Sequence, residues 1–327
     1  MRIALDAMGG DFAPQEIVAG AVEACRDLKA DIILVGNQTA IQTELSKYAT
    51  TDLKLEVVHA SEVIGMDEHP ANAVKRKKDS SLVVANRLVK EGKAAAVISA
   101  GNTGAAMATS LLTLGRIPGI DRPAIASPMP TKAGVSVLLD AGANADCEPE
   151  YLQQFAVMGA IYAEQVLGLV NPKVGLLSIG EEETKGNKLT IAAHLLLKET
   201  KVNFIGNIEG RDVHRGVCEV IVCDGFVGNT VLKLTEGLAS VLMGMIKEAV
   251  TANLVSKVGA LLIKGALGQL KTKLDYTEYG GAPLLGLNGV SMISHGSSNA
   301  KAIKNAVKAA QKAVAEQVVA KIAVSVQ

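Results

Sequence analysis

The sequence has 327 residues, of which 49% are hydrophobic but only 3% aromatic, and its formal net charge is zero. A neutral chain without tryptophan lacks the basic surface and the stacking side chains that nucleic-acid binding requires, so we expect no nucleic-acid partner. The four cysteines form no C-x-x-C pair and Asp6 interrupts the first apolar run, so we expect a cytoplasmic protein without a zinc site, disulfide framework or signal peptide.

The first sixty residues alternate between short apolar runs and helical patterns. Residues 2–5, 32–35 and 53–58 are predicted strands, and residues 15–28 and a polar stretch ending near residue 48 are predicted helices. This order is a β-α-β-α-β series, which begins a parallel sheet.

Four consecutive cations at residues 75–78 follow a predicted polar loop at 62–70 and precede a predicted helix at 81–91. Such a run is usually a solvated face. On a neutral protein it can instead be a local surface for an acidic partner or for phosphate groups, and the sequence leaves both interpretations open.

The centre of the chain reads as a strand, a glycine loop and a helix. Residues 94–98 are an unbroken apolar run, glycines follow at 101 and 104, and an apolar helix continues to residue 114. This order directs backbone N–H groups at a bound anion, with Asn102 and Thr103 beside it. No charged residue lies between Lys93 and Arg116, and this stretch is long enough to cross a bilayer. The glycines and polar residues in its middle argue against a membrane span.

Later predicted strands end in the same way. The runs at residues 135–139, 173–179, 220–223 and 290–293 each open into glycine and small polar residues. These are ordinary turn residues, but ligands of open α/β sheets bind at the carboxyl ends of strands, and the repetition favours one shared cleft. The polar side chains at these ends are Asn144, Lys185, Asn187, Asn229, His295 and Ser297.

The remaining segments complete a two-lobed chain. The proline-rich residues 116–130 are predicted as an irregular connection between lobes, residues 150–168, 189–199 and 299–324 as helices, and residues 279–286 as a glycine-rich loop. Residues 230–274 are predicted as two helices that break near Asn253. An apolar stripe over residues 254–274, with lysine as its only charge, indicates either a membrane-surface helix or a dimerisation arm.

The chain lacks the motifs of the common nucleophilic and nucleotide-binding enzymes. It has no G-x-S-x-G elbow, no Walker sequence and no G-x-G-x-x-G fingerprint. The polar residues of the cleft are neutral donors with one cation, a set that binds phosphate and polarises a carbonyl group. A bound inorganic phosphate would itself be the nucleophile, since it needs positioning more than deprotonation.

Five segments resemble the motifs of the bacterial phosphate acyltransferase family, PlsX. They are residues 6–11 (DAMGGD), 99–105 (SAGNTGA), 224–229 (DGFVGN), 279–282 (YGGA) and 295–298 (HGSS). The resemblance runs from the first residues to the last helix. It implies an enzyme that transfers a fatty acyl chain from acyl carrier protein to inorganic phosphate, giving acyl phosphate for phosphatidic acid and phospholipid synthesis.

The resemblance also implies a fold, partners and site residues. The expected fold is an α/β, Rossmann-like three-layer sandwich similar to isocitrate and isopropylmalate dehydrogenases. Residues 1–327 would form one two-lobed catalytic domain with a protruding helical arm at about 235–275. We expect a homodimer, peripheral contact with the inner face of the membrane and a downstream glycerol-3-phosphate acyltransferase.

From the family's motifs and the local chemistry together, we assign catalysis to Lys185, Asn229 and His295. Phosphate and substrate binding is assigned to Asn102, Thr103, Asn144, Asn187 and Ser297, and no metal or cofactor is expected. Two rival functions stay open at this stage. One is a non-catalytic scaffold that binds acyl carrier protein and membrane. The other is a metal- and nicotinamide-dependent dehydrogenase of the same fold, with Asp140, Asp146 and Asp224 as the candidate metal ligands.

Overall fold

The computed structural model of the protein describes residues 1–265, 268 and 280–326. Its first elements are β1 (Arg2–Asp6), α1 (Gln15–Leu28), β2 (Asp31–Gly36), α2 (Gln38–Leu45), β3 (Leu55–His59), α3 (Pro70–Arg76), α4 (Ser81–Lys90), β4 (Ala96–Ser99), α5 (Thr103–Leu114), β5 (Ala124–Ile125), β6 (Ser127–Thr131) and β7 (Gly134–Leu139). They are followed by α6 (Pro149–Tyr162), β8 (Lys173–Ser178), α7 (Lys188–Lys198), β9 (Asn203–Glu209), β10 (Val220–Val222), α8 (Gly225–Thr251), α9 (Leu254–Leu262), β11 (Ala282–Leu285), β12 (Val290–Ile293), α10 (Ala300–Ala315) and α11 (Val318–Ser325).

Among the described residues the strands form two sheets, which define two lobes. The first lobe holds a seven-stranded sheet in the order β3-β2-β1-β4-β12-β11-β5, and the second lobe holds a five-stranded sheet in the order β6-β7-β10-β8-β9. Both sheets are parallel in their centres and antiparallel at one edge, where β11, β5 and β6 lie. Because only Ala126 separates β5 from β6, the chain crosses between the lobes at that point.

Helices cover both faces of each sheet, which explains the unbroken apolar runs of the central strands. In β1, Ile3 and Leu5 belong to the core cluster shared with α1 and α10, whereas Ala4 belongs to the cluster beneath α4. In β7, Leu139 packs in the cluster that contains α6, whereas Leu138 packs towards the start of α8. The result is a three-layer helix-sheet-helix arrangement in each lobe.

Some local predictions are wrong. Helix α3 was not predicted. It begins with Pro70, a residue suited to the first helical position, and buries Ala73 and Val74. Strands β5 and β6 occupy the second half of the connection predicted to be irregular. Pro128 and Pro130 are tolerated there because β6 lies at the edge of its sheet, where a missing N–H costs no ladder bond.

The C-terminal region also differs from its prediction. Strand β11 lies within the segment predicted as a glycine-rich loop, of which Tyr279 is outside the described residues. The predicted final helix is two helices, because Gln317 adopts a left-handed backbone with φ of 54°.

Helix α8 exposes most of its apolar surface. Of its 27 residues only Gly225 and Gly228 are buried, and a run of exposed apolar side chains follows: Leu234, Leu238, Val241, Leu242 and Met245. The predicted break near Asn253 is confirmed, because its side chain accepts a hydrogen bond from the Ser256 N–H and caps α9. The apolar stripe continues on α9 through Val258, Leu261 and Leu262, whereas its predicted members Leu267, Leu270 and Leu274 lie outside the described residues.

None of the helices that the structure describes is by itself long and apolar enough to cross a bilayer. One bent pair, Gly225–Thr251 with Val255–Leu262, meets the criteria of length and composition only when its two helices are taken together, and they meet at 119°.

Candidate active site

Three strands of the first lobe end in interlocked loops. At the end of β1, Asp6 is buried, and its carboxylate accepts hydrogen bonds from the Ser99 hydroxyl at 2.7 Å and the Met8 N–H at 3.2 Å. Burial raises the pKa of Asp6 above that of an exposed aspartate, and the hydrogen bonds oppose the shift. Asp6 therefore joins the loops after β1 and β4 instead of pointing into solvent.

Glycine is required where these two loops cross. A Cβ added to Gly9 would lie 2.6 Å from an Asp6 carboxylate oxygen and 2.8 Å from the Gly101 backbone nitrogen. No side chain fits at that distance, so the sequence motifs around Gly9 and Gly101 are explained by close backbone approach.

The Asn102 side chain forms three hydrogen bonds within the protein. Its carbonyl oxygen accepts from the Ala105 N–H at 3.0 Å and caps α5, while its amide group donates to the carbonyls of Met66 at 2.9 Å and Glu68 at 3.2 Å. Thr103, the first residue of α5, is exposed beside it. Asn102 therefore fixes the N-terminus of α5, where free backbone N–H groups attract an anion.

His295 and Ser297 form a local pair at the end of β12. The Ser297 N–H donates to His295 Nδ1 at 3.2 Å, and the Ser297 hydroxyl lies 2.7 Å from the same nitrogen. Because Nδ1 accepts a hydrogen bond, the neutral ring carries its proton on Nε2. The loop is held against the β1 loop by the Asp11 N–H, which donates to the Gly296 carbonyl at 2.8 Å.

Asp140 is the centre of the loop that follows β7 in the second lobe. It is fully buried, and its two oxygens accept five N–H groups at 2.6–3.2 Å. The donors are the backbones of Ile125, Gly142, Ala143 and Asn144 and the Asn144 side chain. Burial raises the pKa of Asp140 although these donors oppose the shift. The sequence places an aspartate directly after a strand at this position and predicts it only as a candidate metal ligand, whereas the structure shows that it organises the loop.

Asn144 belongs to this loop, whereas Asn229 lies on α8 and packs against the loop. The Asn144 amide donates to Asp140 and to the Pro123 carbonyl at 2.8 Å, so it braces the loop. Asn229 is exposed, and its side chain makes no hydrogen bond within the described part of the chain. It packs on Gly142, whose φ of 131° and lack of a side chain allow the approach, since an added Cβ would lie 3.3 Å from the Asn229 Cβ.

Lys185 and Asn187 lie between β8 and α7. The Asn187 side chain accepts from the Thr190 N–H at 2.9 Å and caps α7 in a capping box. The Lys185 backbone is fixed by the Ser178 hydroxyl, which donates to its carbonyl at 3.0 Å. Its ammonium is exposed and forms no ion pair with a residue that the structure describes. Lys185 is therefore a positive charge presented on a fixed loop.

The two groups of loops are connected across the lobes. The Ile125 N–H of β5 donates to Asp140 at 3.0 Å, and the Ala141 N–H donates to the Ile125 carbonyl at 2.9 Å. One apolar cluster also contains side chains of both lobes, among them Ala105, Ile125, Ala141 and Ile293, with partly buried Met107, Ala143 and Leu232 at its border. Polar strand ends thus adjoin an apolar floor between the lobes.

The predicted site residues fall into two sets. Asn102, Thr103, His295 and Ser297 lie together on the first lobe, and Asn144, Lys185, Asn187 and Asn229 lie on the second. Thr103, Lys185 and Asn229 are the exposed members whose side chains have no hydrogen bond or ion pair to the described residues, whereas Asn102 and Asn144 are held in internal hydrogen bonds.

No cysteine is placed to act as a nucleophile at neutral pH. The Cys147 thiol lies 3.6 Å from the Asn144 carbonyl oxygen of the Asp140 loop, where burial and the neighbouring carboxylate raise its pKa to about 12. Cys223 is fully buried, and its pKa is raised well above the usual value for the same reason. Both thiols stay protonated, and a thiol without its thiolate form is a poor nucleophile.

Two of the three candidate metal ligands of the dehydrogenase alternative, Asp140 and Asp224, are engaged in hydrogen bonds within the protein. The oxygens of Asp140 are occupied by five N–H donors, and Asp224 accepts from the Val227 N–H at 2.9 Å and caps α8. Another acidic group, Glu181 with Glu209 and Asp212, is close enough to share an ion. Its carboxylates are already paired with neighbouring arginines, at 2.7 Å for Arg211 and Glu209.

Sequence comparison gives full-length matches. A family model described as "Fatty acid synthesis protein" matches residues 1–321. A phosphate acyltransferase of Desulforamulus reducens is 57% identical over 327 residues, which is 100% of this chain and 98% of that protein. A phosphate acyltransferase of Heliobacterium modesticaldum is 58% identical over 323 residues, covering 98% and 96% of the two chains.

Solved structures share the fold at low sequence identity. A phosphotransacetylase from Streptococcus pyogenes aligns over 95% of this chain and 94% of its own, with a TM-score of 0.65 and 18% identity. A 4-hydroxythreonine-4-phosphate dehydrogenase from Klebsiella pneumoniae aligns over 96% and 98%, with a TM-score of 0.51 and 14% identity. The expected dehydrogenase-like α/β sandwich is therefore confirmed.

Proposed function

Because this chain belongs to the fatty acid synthesis protein family, we propose that it transfers a fatty acyl group from acyl carrier protein to inorganic phosphate. The chain is an acyltransferase that forms acyl phosphate, as its curated relatives are named. The assignment of the site rests mainly on Lys185 and Asn229, which follow β8 and β10 and expose their side chains. The adjoining loops border an apolar cluster, and the site has no reactive thiol.

The proposed reaction needs no covalent enzyme intermediate. An oxygen of HPO₄²⁻ attacks the thioester carbonyl carbon, a C–O bond forms, and the C–S bond of the tetrahedral intermediate breaks. The proton of HPO₄²⁻ is transferred to the leaving thiolate, so the products are the acyl phosphate dianion and the free thiol. The protein contributes by holding the two reactants and by stabilising the developing negative charge.

Lys185, Asn229 and His295 have separate roles in this proposal. The Lys185 ammonium attracts phosphate, and the Asn229 amide donates to the carbonyl oxygen as it becomes negative. His295, with its proton on Nε2, donates a hydrogen bond to the leaving sulfur, and Ser297 holds the ring in that state. The helix N-terminus behind Asn102 and Thr103 supplies N–H groups for phosphate, while Asn144 and Asn187 keep the loops of the second lobe in place.

The cationic run at residues 75–78 is the proposed contact for the acidic carrier protein. Lys77 pairs with Glu68 and donates to the Val63 carbonyl, which leaves Lys75, Arg76 and Lys78 exposed at the end of α3. Reversing Arg76 and Lys78 to glutamate is expected to raise the KM for the carrier protein and flatten its salt dependence. The same reversal at Lys308 and Lys312, on the exposed face of α10, is the matched control, and equal effects of both pairs would remove the docking proposal.

The exposed face of α8 and α9 is the proposed contact for a second copy of the chain and for the inner face of the membrane. Leu238, Leu242 and Met245 are each about half exposed or more, a patch that water disfavours. Covering it in a homodimer leaves α9 at the tip to meet lipid, near a glycerol-3-phosphate acyltransferase that consumes the product. Sedimentation of the Leu238→Asp variant should show a monomer. Loss of binding to anionic vesicles on changing Val258 and Leu261 to aspartate would support the membrane contact.

The deciding experiment mixes the pure protein with palmitoyl-acyl carrier protein, with and without inorganic phosphate. Free carrier thiol and acyl phosphate are both measured. Release of both only when phosphate is present supports the proposed reaction within one two-lobed catalytic domain. Binding without release would favour a scaffold, and release without phosphate would indicate a thioesterase.

A further inference from the structure

A second cleft lies between the lobes, and its lining residues have no role in the reaction proposed above. It has a volume of about 450 Å³ and is lined by Leu111, Arg116, Asp121, Arg122, Pro123 and Tyr151. Leu111 belongs to α5 of the first lobe and Tyr151 to α6 of the second, so both lobes form its walls. Two of its six lining residues are arginines.

Arg116 is held in a fixed position at one end of the cleft. Its backbone forms an antiparallel bridge with Leu287, and its carbonyl accepts from the Asn288 side chain at 2.7 Å. Its guanidinium donates one N–H to the Asp121 backbone carbonyl. A guanidinium has five N–H groups, so the remaining donors are available to a ligand.

Arg122 is oriented by an aromatic ring. Its guanidinium carbon lies 5.9 Å from the centre of the Tyr151 ring, a cation–π contact that keeps the planar group in place. Neither Arg116 nor Arg122 has a carboxylate partner among the residues that the structure describes. Both are exposed, so an anion can reach them.

Asp121 is the acidic residue of the lining, and it is engaged by a neighbour. Its carboxylate accepts from the Gln154 side-chain amide at 2.7 Å, and its own N–H donates to the Gln154 carbonyl oxygen at 2.9 Å. The lining therefore carries two positive charges and one negative charge. A single anionic group, held by two guanidinium forks, matches this balance better than a neutral or cationic ligand.

The cleft adjoins the Asp140 loop of the candidate active site through Pro123. The Pro123 carbonyl in its wall accepts the Asn144 amide at 2.8 Å, and Gly142, two residues before Asn144, packs against the Asn229 side chain of α8. On the other side, Leu111 is eight residues along α5 from Thr103, which is about 12 Å at 1.5 Å per residue. A ligand that is anchored at the arginines by one end can therefore extend along α5 towards the candidate active site.

We propose that Arg116 and Arg122 bind the phosphodiester of the flexible arm that carries the thioester in the acyl donor. The inference rests on the proposed donor, whose thioester sits at the end of such an arm. The arginine pair anchors the anionic base of the arm. The arm then runs along the apolar side of α5, and the thioester carbonyl reaches Lys185 and Asn229.

Calorimetry in phosphate-free buffer tests this proposal without any need for catalysis. Two probes are compared, phosphopantetheine and pantetheine, which differ only in the phosphate. The wild-type protein should bind phosphopantetheine at least tenfold more tightly, since a charge-assisted hydrogen bond gives about that factor. Arg116→Ala and Arg122→Ala should each remove most of this preference, Arg122→Lys should keep part of it, and Arg26→Ala on α1 should leave it unchanged.

Lys185→Ala separates the cleft from the phosphate site. If the preference disappears in Lys185→Ala and persists in the arginine variants, the probe binds at the reaction centre and the proposal is wrong. Equal affinity of the wild type for the two probes would also overturn it. Acyl transfer from palmitoyl-phosphopantetheine and palmitoyl-pantetheine gives a second reading. If the wild type transfers the acyl group and the arginine variants leave the ratio of the two KM values unchanged, only the role of the cleft is rejected. If the wild type transfers nothing from either donor or from the acylated carrier protein, the proposed reaction itself is rejected.

Discussion

Replacing Gly225 by alanine tests whether the first turn of α8 must hold Asn229 in place. An added Cβ would lie 2.6 Å from the Asn144 carbonyl oxygen, 2.8 Å from an Asp140 carboxylate oxygen and 2.9 Å from the Asn144 nitrogen. All three atoms are backbone or part of the buried Asp140 network, so no side chain can rotate away. Reaching even 3.0 Å from each requires shifts of 0.4, 0.2 and 0.1 Å.

The predicted cost follows from this crowding. Overpacking of a rigid site costs about 1–3 kcal/mol of unfolding free energy. Asn229 is one turn further along the same helix, and a misplacement near 1 Å costs about a hundredfold in rate. A shift of about half that size should lower kcat/KM for phosphate about tenfold.

The assay combines urea unfolding with initial rates at varied phosphate concentration. Gly210→Ala is the matched control, because a Cβ at Gly210 meets nothing within 4 Å. It should change unfolding by less than about 0.5 kcal/mol and the rate by less than about twofold. If Gly225→Ala loses stability but keeps its full kcat/KM, the position of α8 does not govern the reaction and the role of Asn229 is refuted.

Three further changes test other parts of the site. Lys185→Ala should lower kcat/KM for phosphate about a hundredfold, because it removes the exposed cation of its loop, and Lys185→Arg should recover part of the loss. An unchanged kcat/KM for phosphate in initial-rate assays would exclude the role. Asp140→Ala should cost about 3–5 kcal/mol in urea unfolding, because five buried or partly buried N–H groups lose their acceptor, and Asp140→Asn should cost less. Equal stability of Asp140→Ala and wild type would contradict the network. With its pKa near 12, Cys147 is about one part in ten thousand thiolate at pH 8, so mass spectrometry should find slow labelling by iodoacetamide that rises about tenfold per pH unit. Cys147→Ser should keep its activity, and an inactive variant would restore a thiol nucleophile.

The sequence alone predicted the class of fold and grouped the candidate site residues at the carboxyl ends of the strands. Parallel strands that are covered on both faces must be apolar throughout, so their runs were visible without the structure, as at residues 94–98. The glycine and asparagine residues at the strand ends were equally visible. The PlsX resemblance, confirmed by the family match, added the reaction.

Elements that depend on tertiary contacts could not be predicted from local pattern. Strand β6 contains Pro128 and Pro130, which disfavour a strand unless it lies at the edge of a sheet. Helix α3 has only seven residues, and it is stabilised by burying Ala73 and Val74 rather than by its own propensity.

The same division holds within the candidate site. The sequence determined which polar residues stand at the strand ends, because that depends on neighbours in the chain. Only the tertiary structure decided which of them are engaged internally, because their partners are distant in sequence. Asn144 binds Pro123, Asp6 binds Ser99 from 93 residues away, and Lys185 keeps its charge exposed. A hydrogen bond to a distant partner leaves no local pattern in the sequence. Only the folded chain therefore shows which polar side chains at the strand ends remain available to a ligand.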